Sequence, residues 1–197
     1  MKRLKVIITH LDFSYDDKNF VLKDFNLQIE RGEQVAIIGE SGAGKTTLLY
    51  LLTKLFQPYS GEIFIGGSIC AATTENFIFA SSIRDNFKIF CGDIADDKIF
   101  AVLKICQLEN FNLDTEIGEN GNFLSGGERV RLQIALALAK DTEILILDEP
   151  TAGLDKLRAE SLIDAVIKNC TEKNRTLLLI THDKNISKKF TKIISLS

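Results

Sequence analysis

Apolar residues fall into two kinds of pattern along this chain of 197 residues. Short apolar runs predict buried strands at residues 35–38, 143–147 and 175–181, and residues 5–15 and 26–30 have the pattern of extended segments. Helical spacing follows two of the runs, over residues 46–56 and 156–170. Buried strands that alternate with helices are typical of a parallel sheet covered on both faces. The pattern therefore predicts an α/β fold.

Residues 96–140 have a different pattern, because their apolar positions follow helical spacing throughout. This predicts a helical subdomain, at about residues 73–133, inserted into a core formed by residues 1–72 and 134–197. A chain of this length is the usual size of one domain, so we expect a single domain with a subdomain insertion.

Composition excludes several classes of protein. Hydrophobic residues make up 45% and charged residues 26% of the chain, which excludes a disordered or fibrous protein. A formal net charge of −3 gives no general attraction to phosphate backbones, so we expect no nucleic-acid partner. The apolar runs are shorter than the roughly 18–20 residues that span a bilayer, and no signal-peptide cleavage site follows the basic start. Four scattered cysteines predict free thiols in a reducing compartment.

A glycine-rich turn follows the first buried run. Residues 39–47 read GESGAGKTT and match the pattern G-x-x-x-x-G-K-[ST] at Gly39, Gly44, Lys45 and Thr46. Between a strand and a helix, such a turn directs backbone N–H groups and a helix N-terminus at a phosphate. Lys45 would reach the β- and γ-phosphates, and the Thr46 hydroxyl would bind Mg²⁺. The remaining nucleotide-binding positions of the turn would be Ser41, Gly42, Ala43 and Thr47. An ordinary glycine turn is the alternative.

Two carboxylates follow the second buried run. Asp148 and Glu149 would lie at the carboxyl end of a strand, the edge at which open parallel sheets bind ligands. Asp148 can hold Mg²⁺ through water, and Glu149 can orient or deprotonate an attacking water. The alternative is a strand that ends in a solvated acidic turn.

Residues 124–128 read LSGGE, and here the chain resembles the ATP-binding cassette (ABC) family, whose signature is LSGGQ. The resemblance extends over essentially the whole chain. It places Tyr15 where the family stacks an aromatic ring on adenine, Asp155 of AGLD in the D-loop, and His182 of ITHD as the switch histidine. It implies a P-loop NTPase core with a mainly parallel sheet, a small antiparallel part and a helical subdomain.

The resemblance also implies a mechanism and partners. Two cassettes, identical or different, would bind ATP and Mg²⁺ head to tail, with Ser125, Gly126 and Gly127 of one closing over the γ-phosphate held by the other. Glu149 and His182 would be the catalytic residues of ATP hydrolysis. Segments SIRDN at 82–86 and TEIGENG at 115–121 resemble exporter-type cassettes. We therefore expect a transmembrane partner, domain or subunit, and a place at the cytoplasmic face of the membrane. The transported substrate is not encoded in this domain.

Two positions depart from the family pattern and leave alternatives open. Thr74 stands where the family has the Q-loop glutamine, and its shorter hydroxyl is the expected metal ligand there. Glu128 replaces the signature glutamine. These departures motivate one alternative, a nucleotide-gated dimerisation module with little hydrolysis. A soluble ABC ATPase acting on DNA or ribosomes is a second, disfavoured by the lack of a basic patch. Tyr15 as a plain strand aromatic, His182 as a surface histidine and Asp155 as a helix N-cap also remain open.

Overall fold

A computed structural model describes residues 4–73 and 78–196. Within these ranges the elements, in chain order, are β1 (Leu4–Ser14), β2 (Phe20–Glu30), β3 (Gln34–Ile38), α1 (Lys45–Leu52), β4 (Ser60–Ile65), β5 (Ile69–Ala72), α2 (Ile83–Cys91), α3 (Asp96–Ile105), a 3₁₀ turn (Glu119–Gly121), α4 (Gly126–Ala139), β6 (Ile144–Asp148), α5 (Lys156–Glu172), β7 (Thr176–Thr181), α6 (Lys184–Ser187) and β8 (Lys192–Ser195).

The strands form two sheets. A three-stranded sheet has the order β2-β1-β4, and β1 is antiparallel to both neighbours. A five-stranded sheet has the order β5-β6-β7-β3-β8, in which β3 is parallel to both β7 and β8. Its apolar strands β3 and β7 are almost wholly buried, as expected for a parallel sheet covered on both faces. The predicted α/β fold, with a parallel sheet and a small antiparallel one, is confirmed.

The chain divides into two compact units. Unit 1 contains the described parts of residues 1–70, 142–146 and 170–197, and unit 2 contains those of residues 71–141 and 147–169. In unit 1, α1 buries its leucines, and α6 packs against β3 and β7. In unit 2, α4 packs against α2 and α3 around buried apolar residues that include Phe87, Ile99, Leu103 and Leu132. The sequence-based subdomain boundaries stay a prediction, and unit 2 differs from them by including residues 71–72, 134–141 and 147–169.

The prediction of helix throughout residues 96–140 is wrong in the middle of that segment. Helix α3 ends at Ile105 and α4 begins only at Gly126, with a loop and the 3₁₀ turn between them. Gln107 has a φ of 57°, and Asn120, within the 3₁₀ turn, has a non-helical φ of 50°, so neither residue can belong to a continuous α-helix. Leu108, Leu113, Ile117 and Leu124 of this segment are buried without being helical. Their apolar character therefore indicates burial rather than helix.

All four cysteines are free, as the sequence predicts. Over residues 4–73 and 78–196, none of the helices combines the length and the apolar character that crossing a membrane requires.

Candidate functional site

The glycine-rich turn joins β3 to α1 in unit 1. Gly44 is the N-cap of α1 and has a φ of 89°, and a Cβ there would lie 3.1 Å from Val21 Cγ1, so this position requires glycine. Lys45 Nζ donates to the carbonyl oxygens of Gly39, at 2.7 Å, and Glu40, at 2.9 Å. The first N–H groups of α1 have no acceptor within the helix. The turn therefore has the backbone and the ammonium group that a phosphate cradle needs.

Tyr15 lies beside this turn. Its hydroxyl is 2.9 Å from Thr47 Oγ1 on α1, and its ring makes edge contacts with Phe13 and Phe56, at centroid distances of 4.9 and 5.7 Å. The residue is nevertheless 60% exposed. The ring is thus held next to the phosphate cradle with much of its surface accessible, which suits stacking on a flat base.

His182 shares a cavity with the P-loop. It follows β7, and β7 lies parallel to β3 with Thr181 opposite Ile38, so the ends of the two strands lie at one edge of the sheet. A cavity of about 640 Å³ is lined by residues of the turn, among them Gly39 and Ser41, and by His182. The structure therefore brings together the P-loop and the predicted switch histidine.

Sequence reasoning missed further residues that line this cavity, among them Lys184 on α6, Ser195 and Leu196. Ser195 ends β8, which is parallel to β3, and the Leu196 N–H donates to the carbonyl oxygen of Ile38. The parallel pairing of a four-residue strand with a distant one leaves no local signal in the sequence.

The acidic pair lies at the end of β6 and belongs to unit 2. Asp148 is the last residue of the strand, and both Asp148 and Glu149 are half-buried. Glu149 has a φ of 46°, and its carbonyl oxygen accepts from the Ala152 N–H at 3.1 Å. The carboxylate thus lies at the carboxyl end of a buried strand, the edge at which open sheets bind ligands, and this position supports a functional interpretation of Glu149.

The signature residues and the D-loop lie together in unit 2. Ser125 is the N-cap of α4, whose first turn contains Gly126 and Gly127. A Cβ at Gly127 would lie 2.7 Å from Leu154 Cδ2 and 3.2 Å from the Gly153 carbonyl oxygen, so the signature and the D-loop pack closely here. Asp155 Oδ1 accepts from the Arg158 N–H at 3.0 Å and caps α5. The N-cap alternative for Asp155 is thus observed, and its contact with nucleotide stays a prediction.

Glu128 has a partner that sequence reasoning missed. Its carboxylate and the Ser125 side chain form a capping box at the start of α4. The spacing S-x-x-E predicts this arrangement, and the signal is present in the sequence. Thr74, the predicted Q-loop residue, lies outside the described residues.

The fold and the phosphate-binding turn define a P-loop nucleotide-binding domain. The family model for the ABC transporter matches residues 22–152. The chain therefore belongs to the ABC transporter family and corresponds to its ATP-binding domain.

The curated relatives of this chain include export proteins. A multidrug export ATP-binding/permease protein of Staphylococcus aureus is 36% identical over 202 residues, which cover 92% of this chain and 35% of the relative. The heterocyst differentiation ATP-binding protein HepA of Nostoc sp. is 35% identical over 206 residues, covering 95% of this chain and 34% of the relative. The chain thus spans about a third of the length of the curated relatives it matches.

Two solved structures have the same fold. A bacterial Atm1-family ABC exporter with ATP bound superposes with a TM-score of 0.90 at 28% identity, covering 99% of this chain and 37% of that one. An inward-facing metal-chelate type ABC transporter gives a TM-score of 0.85 at 26% identity, covering 99% and 80%. The resemblance to exporter-type cassettes is confirmed.

Proposed function

We propose that this chain binds Mg-ATP, closes with a second cassette around the nucleotide, and hydrolyses it to drive export through a transmembrane partner at the cytoplasmic face of the membrane. The observation that carries the proposal is the cavity of unit 1, where the P-loop and His182 meet. The capped, glycine-rich start of α4 in unit 2 supports a second phosphate contact, made to the nucleotide of the other cassette.

Each residue of the proposed site has a distinct task. Lys45 and the first N–H groups of α1 bind the phosphates, and Tyr15 stacks on the base. The hydroxyl of Thr46 and the carboxylate of Asp148 are hard oxygen donors of the kind Mg²⁺ prefers, and Thr74 is a further proposed ligand. The metal, when bound, neutralises charge on the transferring phosphoryl group. Glu149 takes the proton of the attacking water, and His182 donates to the γ-phosphate.

The second cassette supplies the rest of the site. Its Ser125, Gly126 and Gly127 donate to the γ-phosphate, and its Asp155 lies in the D-loop packed against them. A second copy of this chain or a related cassette satisfies the same requirement, so the proposal covers a homodimer and a heterodimer. A module that closes on ATP and hydrolyses it slowly is the second candidate, favoured by the Glu128 carboxylate on Ser125.

Mixing two inactive variants tests the shared site. Lys45→Ala removes the phosphate-binding ammonium, and Gly126→Asp places a carboxylate in the signature, where an added Cβ meets open space and should not disturb folding. Neither variant alone should hydrolyse ATP at the native rate. Their mixture should recover roughly a quarter of that rate, because random pairing gives half mixed dimers, each with one intact site. Phosphate release measures the recovery.

A double variant, Lys45→Ala with Gly126→Asp, is the matched control for the mixture. Combined with Lys45→Ala, it leaves every P-loop defective and should recover nothing. A mixture of the two single variants that stays at the sum of their separate rates would contradict the shared site, and hydrolysis by a monomeric chain would do the same.

Tyr15→Ala should weaken binding of Mg-ATP by about 1–3 kcal/mol, the value of stacking one base on an aromatic ring. Tyr59→Ala is the matched control, since Tyr59 is equally exposed, at 60%, and should leave the affinity unchanged. Tyr15→Phe, which removes only the hydroxyl near Thr47, should retain most of the affinity. Calorimetric titration measures all three, and equal affinities of the native chain and Tyr15→Ala would leave Tyr15 a plain strand aromatic.

A further inference from the structure

The signature serine is engaged by a carboxylate of its own chain. Ser125 Oγ donates to Glu128 Oε2 at 2.7 Å, and the Ser125 N–H donates to the same oxygen at 2.8 Å. The Glu128 N–H in turn donates to Ser125 Oγ at 3.3 Å. A serine hydroxyl has a single proton to donate. While this capping box is closed, that proton is held by Glu128.

We propose that Glu128 competes with the γ-phosphate for Ser125, so that the nucleotide of the second cassette must displace this carboxylate before the shared site closes. The inference rests on the proposed function. It makes Glu128 a positioning residue that sets the ATP concentration at which two cassettes associate. The competition arises because a phosphate oxygen and the Glu128 carboxylate are both acceptors for one hydroxyl.

The charge of Glu128 strengthens the competition. The hydrogen bonds from the Ser125 side chain and backbone lower the pKa of this carboxyl, and the nearby positive charges of Arg131 and Arg158 lower it further. The group is therefore a carboxylate at neutral pH. It lies at the N-terminus of α4, where the helix dipole attracts anions, and an arriving phosphate would meet a negative charge in the same turn.

A displaced carboxylate has a destination. Glu128, Arg131 and Arg158 line one cavity of about 530 Å³ in unit 2. Arg131 Nε donates to the carbonyl oxygen of Gly127 at 3.2 Å, while the Arg158 side chain is 61% exposed, with Nε 3.6 Å from Asp155 Oδ2. A change of rotamer can therefore move the Glu128 charge from Ser125 toward Arg158.

Glu128→Gln separates charge from capping. Glutamine also forms a capping box with serine, so α4 keeps its cap while the negative charge is removed. We would follow association of the cassettes by light scattering as a function of Mg-ATP concentration. The Glu149→Gln variant serves as the parent protein, so that hydrolysis does not dissociate the dimer. Adding Glu128→Gln should lower the midpoint ATP concentration about tenfold, equivalent to about 1.4 kcal/mol. Glu109→Gln, in a carboxylate of the same cavity, is the matched control and should leave the midpoint unchanged.

A further variant tests whether the serine proton is what the two acceptors compete for. In a Ser125→Ala background, the factor by which Glu128→Gln lowers the midpoint ATP concentration should be at least three times smaller, because no hydroxyl remains to be released. An equal lowering of the midpoint in both backgrounds would mean that Glu128 acts only through its general negative charge. That result would overturn the proposed competition for Ser125.

The outcomes for the two proposals are distinct. A parent that dimerises with a midpoint unaffected by Glu128→Gln overturns this inference alone. If the parent and its Glu128→Gln derivative both stay monomeric at every ATP concentration, the shared site itself is wrong, and the inference falls with it. A parent that associates only after Glu128→Gln is added supports both.

Discussion

Replacing Glu149 with glutamine is expected to lower ATP turnover about 100- to 10,000-fold, the loss that follows removal of a general base. Glutamine has nearly the same size and can still hold a water, but it cannot accept its proton. The half-buried side chain directly follows β6, at the edge where open sheets bind ligands. Binding of ATP should persist, because Lys45 and the start of α1 are unchanged.

Phosphate release and molecular mass in Mg-ATP are the two measurements for Glu149→Gln. Slow hydrolysis with retained binding should leave a stable dimer, whereas the native chain returns to monomer as its ATP is consumed. Glu62→Gln, in an exposed carboxylate on β4, controls for loss of one negative charge and should keep the native rate. Hydrolysis by Glu149→Gln at the native rate would remove Glu149 from the mechanism.

Local patterns in the sequence predicted the part of the fold that holds the P-loop. A short apolar strand, a glycine-rich turn and a helix were expected at residues 35–56, and β3 and α1 lie there, although α1 ends at Leu52 rather than residue 56. Each feature depends on a short stretch of sequence: burial on both faces makes residues 35–38 of β3 apolar, and Gly44 is needed for a positive φ. The start of α4 also has a local signal, the N-cap serine of S-x-x-E at Ser125, although the expectation of helix throughout residues 96–140 did not use it.

The pairing of strands from distant segments could not be predicted from the sequence. Strand β8 contains four residues of mixed burial, and it completes the edge near the P-loop only by pairing with β3. The loop after α3 was mistaken for helix because its buried residues follow helical spacing, while the positive φ of Gln107 depends on the surrounding fold. His182 and the P-loop line the same cavity because β7 pairs with β3, which is another contact between distant segments.

Lys45→Ala should abolish most of the stabilisation that Mg-ATP gives to the native chain. A ligand at 100 times its dissociation constant adds about 2.7 kcal/mol to the free energy of unfolding. For a domain of this size that amounts to a rise of roughly 5–11 °C in Tm. The Lys45 ammonium supplies the positive charge of the cradle, and the remaining N–H groups of α1 cannot replace an ion pair with the phosphates.

The comparison must be made within each variant, because Lys45 Nζ also donates to the carbonyl oxygens of Gly39 and Glu40 and the substitution can lower Tm without nucleotide. The measured quantity is therefore the difference in Tm with and without millimolar Mg-ATP. Lys88→Ala, in an exposed lysine on α2, removes the same charge elsewhere and should keep the full difference. A full difference in Lys45→Ala, or none in the native chain, would contradict nucleotide binding at this turn, since Lys45 belongs to the turn itself, whereas Lys184, which also lines the cavity, lies on α6.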